Sequence, residues 1–138
     1  MAREAVLRDN NILSSRRYTA ATSTGIAKGT YLKNADPHTA TASTGTGDPF
    51  IGFAHADINK STDSSFNTET SVTADKGAIY ELVASQAITV NNYVKTAAPG
   101  NYVIECTDAD MTASIAVHMG IARETASQGE TINVEVLL

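Results

Sequence analysis

From Thr131 to Leu137 the chain alternates strictly, with Ile132, Val134 and Val136 on one face and Asn133 and Glu135 on the other. Period-2 alternation with β-branched residues on the apolar side is what a half-buried strand requires. Before it stand a short apolar run, Met119 to Ala122, and a polar turn, Glu124 to Glu130, with Gly129 near its end. A glycine there supplies the positive φ that hairpin loops need. The pattern predicts a C-terminal β-hairpin.

Much of this pattern occurs twice. Ile51-Gly52-Phe53-Ala54 matches Met119-Gly120-Ile121-Ala122, and Gly77 to Leu82 matches Thr131 to Val136. Further upstream, Ile26 to Pro37 aligns without gaps on Ile88 to Pro99, with identities at the Ile, Tyr, Lys, Ala and Pro. Two copies are too few for a solenoid, so the spacing predicts two related β-units in one domain.

Between these landmarks the pattern predicts further short strands. They are Ile26 to Lys33, Thr39 to Ser43, Phe50 to Ala54 (apolar enough to be buried on both faces), Ser71 to Ala74 and Ala78 to Val83. Ile88 to Lys95, Tyr102 to Thr107 and Ile115 to His118 complete the set. Asp108 to Ala113 reads as a helical turn. Asp57 to Thr70 is a long polar stretch standing where the second unit has only a compact turn, so it reads as an insertion. About nine or ten short strands with turn residues between them define an all-β fold, a small antiparallel barrel or sandwich. Residues 1–18 show no alternation, and a helix this short is marginal in water. They read as an extended N-terminal arm, and residues 19–138 as the body.

At 138 residues the chain is one domain, long enough to bury a core without staples. Cys106 is its single cysteine. It lies in the apolar run Tyr102 to Cys106 and reads as a structural thiol. No apolar run reaches membrane-span length and no signal core precedes the body, so a soluble protein made in the cytoplasm is expected. Net charge is −5 but uneven. Residues 1–18 hold four arginines against two acids, a net of +2, while the rest holds six basic and thirteen acidic side chains, a net of −7. An acidic body argues against nucleic-acid binding, and a basic arm points to a partner of its own.

Candidate chemistry changes little. Asp57 to Asp63 resembles a calcium loop, but Thr62 stands where the turn needs Gly and Thr68 where a bidentate Glu is needed. Asn59-Lys60-Ser61 fits a glycosylation acceptor without a secretory context. Gly45-Thr46-Gly47 is too short for a phosphate loop. His38, His55 and His118 share no metal-ligand spacing, and Asp108 and Asp110 sit in an ordinary turn. No serine or cysteine has the setting of a nucleophile. The expectation is no enzyme, no cofactor and no metal.

The strands with Gly29-Thr30-Tyr31-Leu32-Lys33 and Asn91-Asn92-Tyr93-Val94-Lys95 carry a resemblance, together with Gly52-x-Ala54, Gly120-x-Ala122 and the closing Ala126 to Val134. Over residues 19–138 the chain resembles the capsid decoration, or cement, proteins of tailed bacteriophages and related viruses. The resemblance implies a β-tulip-like domain on the outer surface of the virion, bound to the expanded major capsid protein as homotrimers at three-fold and quasi-three-fold positions. It implies no nucleic-acid or membrane partner. In that setting the arm would add a strand to a neighbour's sheet edge. Val6, Leu7, Ile12 and Leu13 would be its apolar anchors, and Arg3, Arg8, Arg16 and Arg17 would pair with carboxylates. The rival reading is another virion-surface, carbohydrate- or receptor-binding β module using the Asp57–Thr70 loop.

Overall fold

The computed structural model describes residues 6–7, 14–20, 25–36, 38–58, 71–97, 102–113 and 118–136. Its elements are β1 (Val6–Leu7), β2 (Ser14–Ala20), β3 (Tyr31–Asp36), β4 (Thr39–Ala42), β5 (Gly52–Ala54) and β6 (Ser71–Lys76). β7 (Ile79–Ala84), β8 (Tyr93–Ala97), β9 (Tyr102–Glu105), the short helix α1 (Asp108–Ala113), β10 (Gly120–Ala122) and β11 (Thr131–Val136) follow.

These strands close into two five-stranded barrels. The first runs β2-β4-β3-β5-β6 and back to β2; the second runs β7-β9-β8-β10-β11 and back to β7, with β1 added outside β7. The order is the same in both, and so is the register apart from a shift in β3–β4 after Asn34 that β8–β9 lacks. Leu32 opposes Gly52 and Tyr31 opposes Phe53 in the first barrel; Val94 opposes Gly120 and Tyr93 opposes Ile121 in the second. Single bridges recur too, Ile26 with Ile58 and Ile88 with Ala126. The barrel interiors correspond position by position, Leu32 to Val94, Ala54 to Ala122, Val72 to Ile132 and Ala74 to Val134, all buried. The all-β fold of two related units is therefore present as two rings of the same strand order.

Each repeated motif has a local cause. Gly29 and Asn91, at matching positions before β3 and β8, both have positive φ (81° and 71°), which Gly tolerates freely and Asn better than most. In the repeated Gly-x-Ala, a Cβ on Gly120 would lie 2.3 Å from the Glu135 carbonyl oxygen, and one on Gly52 would lie 2.9 Å from Ala74 Cβ. Only glycine lets these strands pass so close to their neighbours. Gly120→Ala is expected to destabilise the protein by about 2 kcal/mol through overpacking against backbone, read as a lower denaturation midpoint.

Several sequence expectations need correction. Gly77 to Leu82 is not the counterpart of Thr131 to Val136. β7 is the hydrogen-bonded neighbour of β11, from Thr131 opposite Val83 to Glu135 opposite Ile79, and the counterpart of β11 is β6. Alternation marks any half-buried strand, so it does not separate a partner from a copy. The barrels are not wholly antiparallel either, because β2 pairs parallel with β4 and β7 with β9. The expected arm boundary at residue 18 falls inside β2, which pairs with β6 from Ser14 opposite Lys76 to Thr19 opposite Ser71. The helical turn at Asp108 is present, and Gly52, Phe53 and Ala54 are all buried. Residues 59–70 of the expected insertion and 115–117 of an expected strand lie outside the described residues.

Candidate functional site

The two barrels meet through an aromatic cluster. Strand alternation points Leu32 and Ala54 into the first barrel and Tyr31 and Phe53 out of it, toward the second. Phe53 packs on Phe50 (ring centroids 5.1 Å), Tyr31 (5.4 Å) and Tyr80 (4.0 Å). The Tyr31 hydroxyl donates to the Tyr102 carbonyl at 2.9 Å, and the Gly47 amide donates to the Thr96 carbonyl at 2.8 Å. Burial pushes the Tyr31 phenol well above its usual range and Tyr80 up to about 12, with Asp75 adding to the latter. Both hydroxyls stay protonated.

A lysine–aspartate staple occurs once in each barrel. Lys33 Nζ lies 3.1 Å from Asp48 Oδ2, and Lys95 Nζ lies 2.7 Å from Asp110 Oδ2. Asp48 also accepts from the Thr44 and Gly45 amides and the Ser43 hydroxyl, so it closes the loop after β4. Asp110 accepts from the amide and hydroxyl of Thr107, the residue that caps α1 by accepting from the Asp110 amide. Partial burial pushes Asp48 up, but the Gly45 amide, Lys33, Ser43 and Thr44 outweigh it and hold the carboxyl at about 2. Lys95 and then Thr107 bring Asp110 to about 2. Both folded values lie below the unfolded value of about 3.9. Their contribution is therefore complete above about pH 4 and is lost as pH falls toward 2. The loss of stability from pH 4 to 2 is expected to be shallower in an Asp48→Asn/Asp110→Asn double variant, as measured by denaturant unfolding across that range.

A second repeated pair joins β5 to β6 and β10 to β11. His55 Nδ1 lies 2.5 Å from Asp75 Oδ2, where the second barrel has Arg123 Nε 2.6 Å from Glu135 Oε2. Asp75 is buried and accepts from the Ser15 hydroxyl at 2.5 Å through its other oxygen. Ser15 and His55 thus flank one carboxylate and do not bond each other. This is no proton relay from serine to histidine, since the serine proton faces the acid. Burial raises the Cys106 thiol to about 11, with Asp110 adding and Lys95 opposing, so little reactive thiolate forms near neutral pH. Among the described residues no three His, Cys, Asp or Glu side chains are placed to hold a metal ion. Among the same residues no helix is long and apolar enough to cross a membrane.

The expected arm residues separate. Val6 and Leu7 form β1 and pair antiparallel with Glu81 and Tyr80 of the chain's own β7. Arg16 and Arg17 are exposed on β2, inside the first barrel's wall, and Arg17 Nη2 donates to Ser71 Oγ at 3.0 Å. Arg3, Arg8, Ile12 and Leu13 lie outside the described residues. The staples were missed in the sequence although a signal was present: each lysine of the aligned Tyr-x-Lys motif precedes its aspartate by 15 residues. Tyr93 also stands out, 37% exposed on the outer face of the second barrel and stacked on His118 with centroids 5.5 Å apart.

The described residues form a two-barrel β protein in which the repeated polar pairs close loops and join neighbouring strands. No family model matches the chain, and no curated protein does. Among solved structures it is similar to the head fiber gp8.5 N base in bacteriophage phi29, with a TM-score of 0.52 at 16% identity, over 90% of this chain and 93% of that one. At that identity the likeness establishes a shared fold.

Proposed function

We propose that this chain is a bacteriophage capsid-surface protein, a decoration protein that binds the outer face of the expanded major-capsid shell and stabilises it. On this reading it sits as homotrimers at three-fold and quasi-three-fold positions. The observation that carries the reading is the shared double-barrel fold, which spans nearly the whole of both this chain and a phage head fiber base. The acidic body and the hydrogen-bonded role of each repeated polar pair agree with a binding and structural role rather than catalysis. The partner is the major capsid protein, with no nucleic acid and no membrane, and no cofactor takes part.

A second reading is favoured by the kind of neighbour found: the domain is the capsid-bound base of a longer surface appendage. Both readings require binding to the shell exterior. Co-sedimentation of purified protein with expanded, undecorated shells, followed by imaging, tests them together. Saturable binding with density at three-fold positions supports decoration, and density extending outward from a base supports the appendage. Absence of binding to expanded shells overturns both and favours a receptor- or carbohydrate-binding module.

A further inference from the structure

The contact between the two barrels is made once within the chain, yet the duplication supplies the parts for it twice. On the first barrel the contact face is Tyr31, Phe50 and Phe53, each no more than 4% exposed because the second barrel covers it. The matching positions on the second barrel are Tyr93, His118 and Ile121, fixed by the identical register of β3–β5 and β8–β10. There Tyr93 is 37% exposed, and His118 and Ile121 are only half-buried. His118 Nε2 donates to the Asp110 carbonyl at 3.1 Å, which holds its ring flat against Tyr93 (interplanar angle 20°).

The covering surface is also duplicated. In the second barrel it comprises Tyr80, the Thr96 carbonyl and the Tyr102 carbonyl. The counterparts of these residues on the first barrel, through the registers of β2 with β6 and β4, are Arg16, Asn34 and Thr39. Arg16 and Asn34 are exposed. Each chain therefore carries one joined contact between barrels, while the Tyr93 face of the second barrel and the Arg16 and Asn34 positions of the first are exposed.

We propose that the Tyr93–His118–Ile121 face of one copy docks on the Arg16–Asn34 end of the first barrel of a second copy, repeating the contact between barrels. The occupant is this same chain, because the twin of each half is already joined to the twin of the other. The chemistry is complementary: where Tyr80 packs on Phe53, Arg16 meets Ile121 beside the Tyr93 and His118 rings, and a guanidinium over an aromatic face is attractive. The contact is heterologous and head-to-tail, so it repeats into a ring when the rotation between copies closes. Three copies would place six barrels in one ring, which gives the trimer of the decoration reading a defined interface.

Sedimentation of the purified full chain without shells tests this, so its failure is separable from failure of shell binding. Wild-type protein is expected to form a closed oligomer, and Tyr93→Asp and Arg16→Glu are each expected to weaken it about 30-fold or more. A fold-independent arm mixes two single-cysteine proteins in a Cys106→Ser background, Ile121→Cys and Arg16→Cys. Disulfide-linked pairs are expected in the mixture under mild oxidation, and far fewer from either protein alone. A chain that stays monomeric up to about 1 mM, an oligomer indifferent to both charge variants, or equal cross-linking in the unmixed proteins would overturn the proposal.

Discussion

Phe53→Ala is expected to cost about 3–5 kcal/mol, the range for removing a fully buried aromatic from a packed site. Phe53 is 1% exposed and touches Tyr31, Phe50 and Tyr80, so it contributes to the cluster from both barrels at once. Against a whole-protein stability of about 5–15 kcal/mol, that loss is a large share. It also removes the main contact between the rings, so denaturant unfolding is expected to become less cooperative, with a smaller apparent m-value as the barrels separate before unfolding. The control is Ile121→Ala at the matching position of the second barrel. Ile121 has the same register but is only half-buried, and its truncation is expected to cost less than about 1.5 kcal/mol in the isolated chain. Equal losses at the two positions would show that the inter-barrel cluster does not couple the rings.

That pair of residues also shows where sequence reading stops. Tyr31 and Tyr93 occupy aligned positions with the same flanking pattern, so their equivalence on matching strands was legible. One is 2% exposed and the other 37%. The difference arises from which ring lies beside each, a docking relation that alternation along one strand does not encode. Interior positions were legible because period 2 is a property of the strand itself, as Ile132, Val134 and Val136 show. The duplication was legible in the aligned Tyr and Lys and at Gly52 and Gly120, where a close strand crossing demands glycine, whereas Gly29 and Asn91 meet the same positive-φ turn with different residues.

β2 was hidden for a specific reason. Tyr18 and Ala20 point inward, but the next inward-phase position, Arg16, lies at the open end of the barrel, where a guanidinium reaches water. A charged residue in an apolar phase breaks the alternation, and the strand merges with the basic segment before it. The same feature hid the parallel pairing of β2 with β4, since a strand that is not recognised has no partner to assign.

The position of β2 fixes how the N-terminal segment must be tested. Removing residues 1–18 is expected to abolish folding, because it deletes Ser14–Tyr18, all of which pair with β6. It also withdraws the Ser15 hydroxyl from the buried Asp75 carboxylate, leaving that oxygen without its donor. The first barrel would then open, exposing the edge of β6 along most of its length. Removing residues 1–13 spares β2 and, among the described residues, forfeits the pairing of Val6 and Leu7 with β7, so the body is expected to fold with a modestly lower thermal midpoint. On the decoration reading, Arg3, Val6, Leu7, Arg8, Ile12 and Leu13 leave with the shorter truncation. Its affinity for expanded shells is then expected to fall about 100-fold, a loss of ~2.7 kcal/mol. Circular dichroism melting of both truncations and co-sedimentation of the shorter one give the two readouts. A folded 14–138 protein that binds shells as tightly as the full chain would remove the N-terminal segment from the binding mechanism and leave Arg16 and Arg17, on the barrel wall, as the basic residues to test.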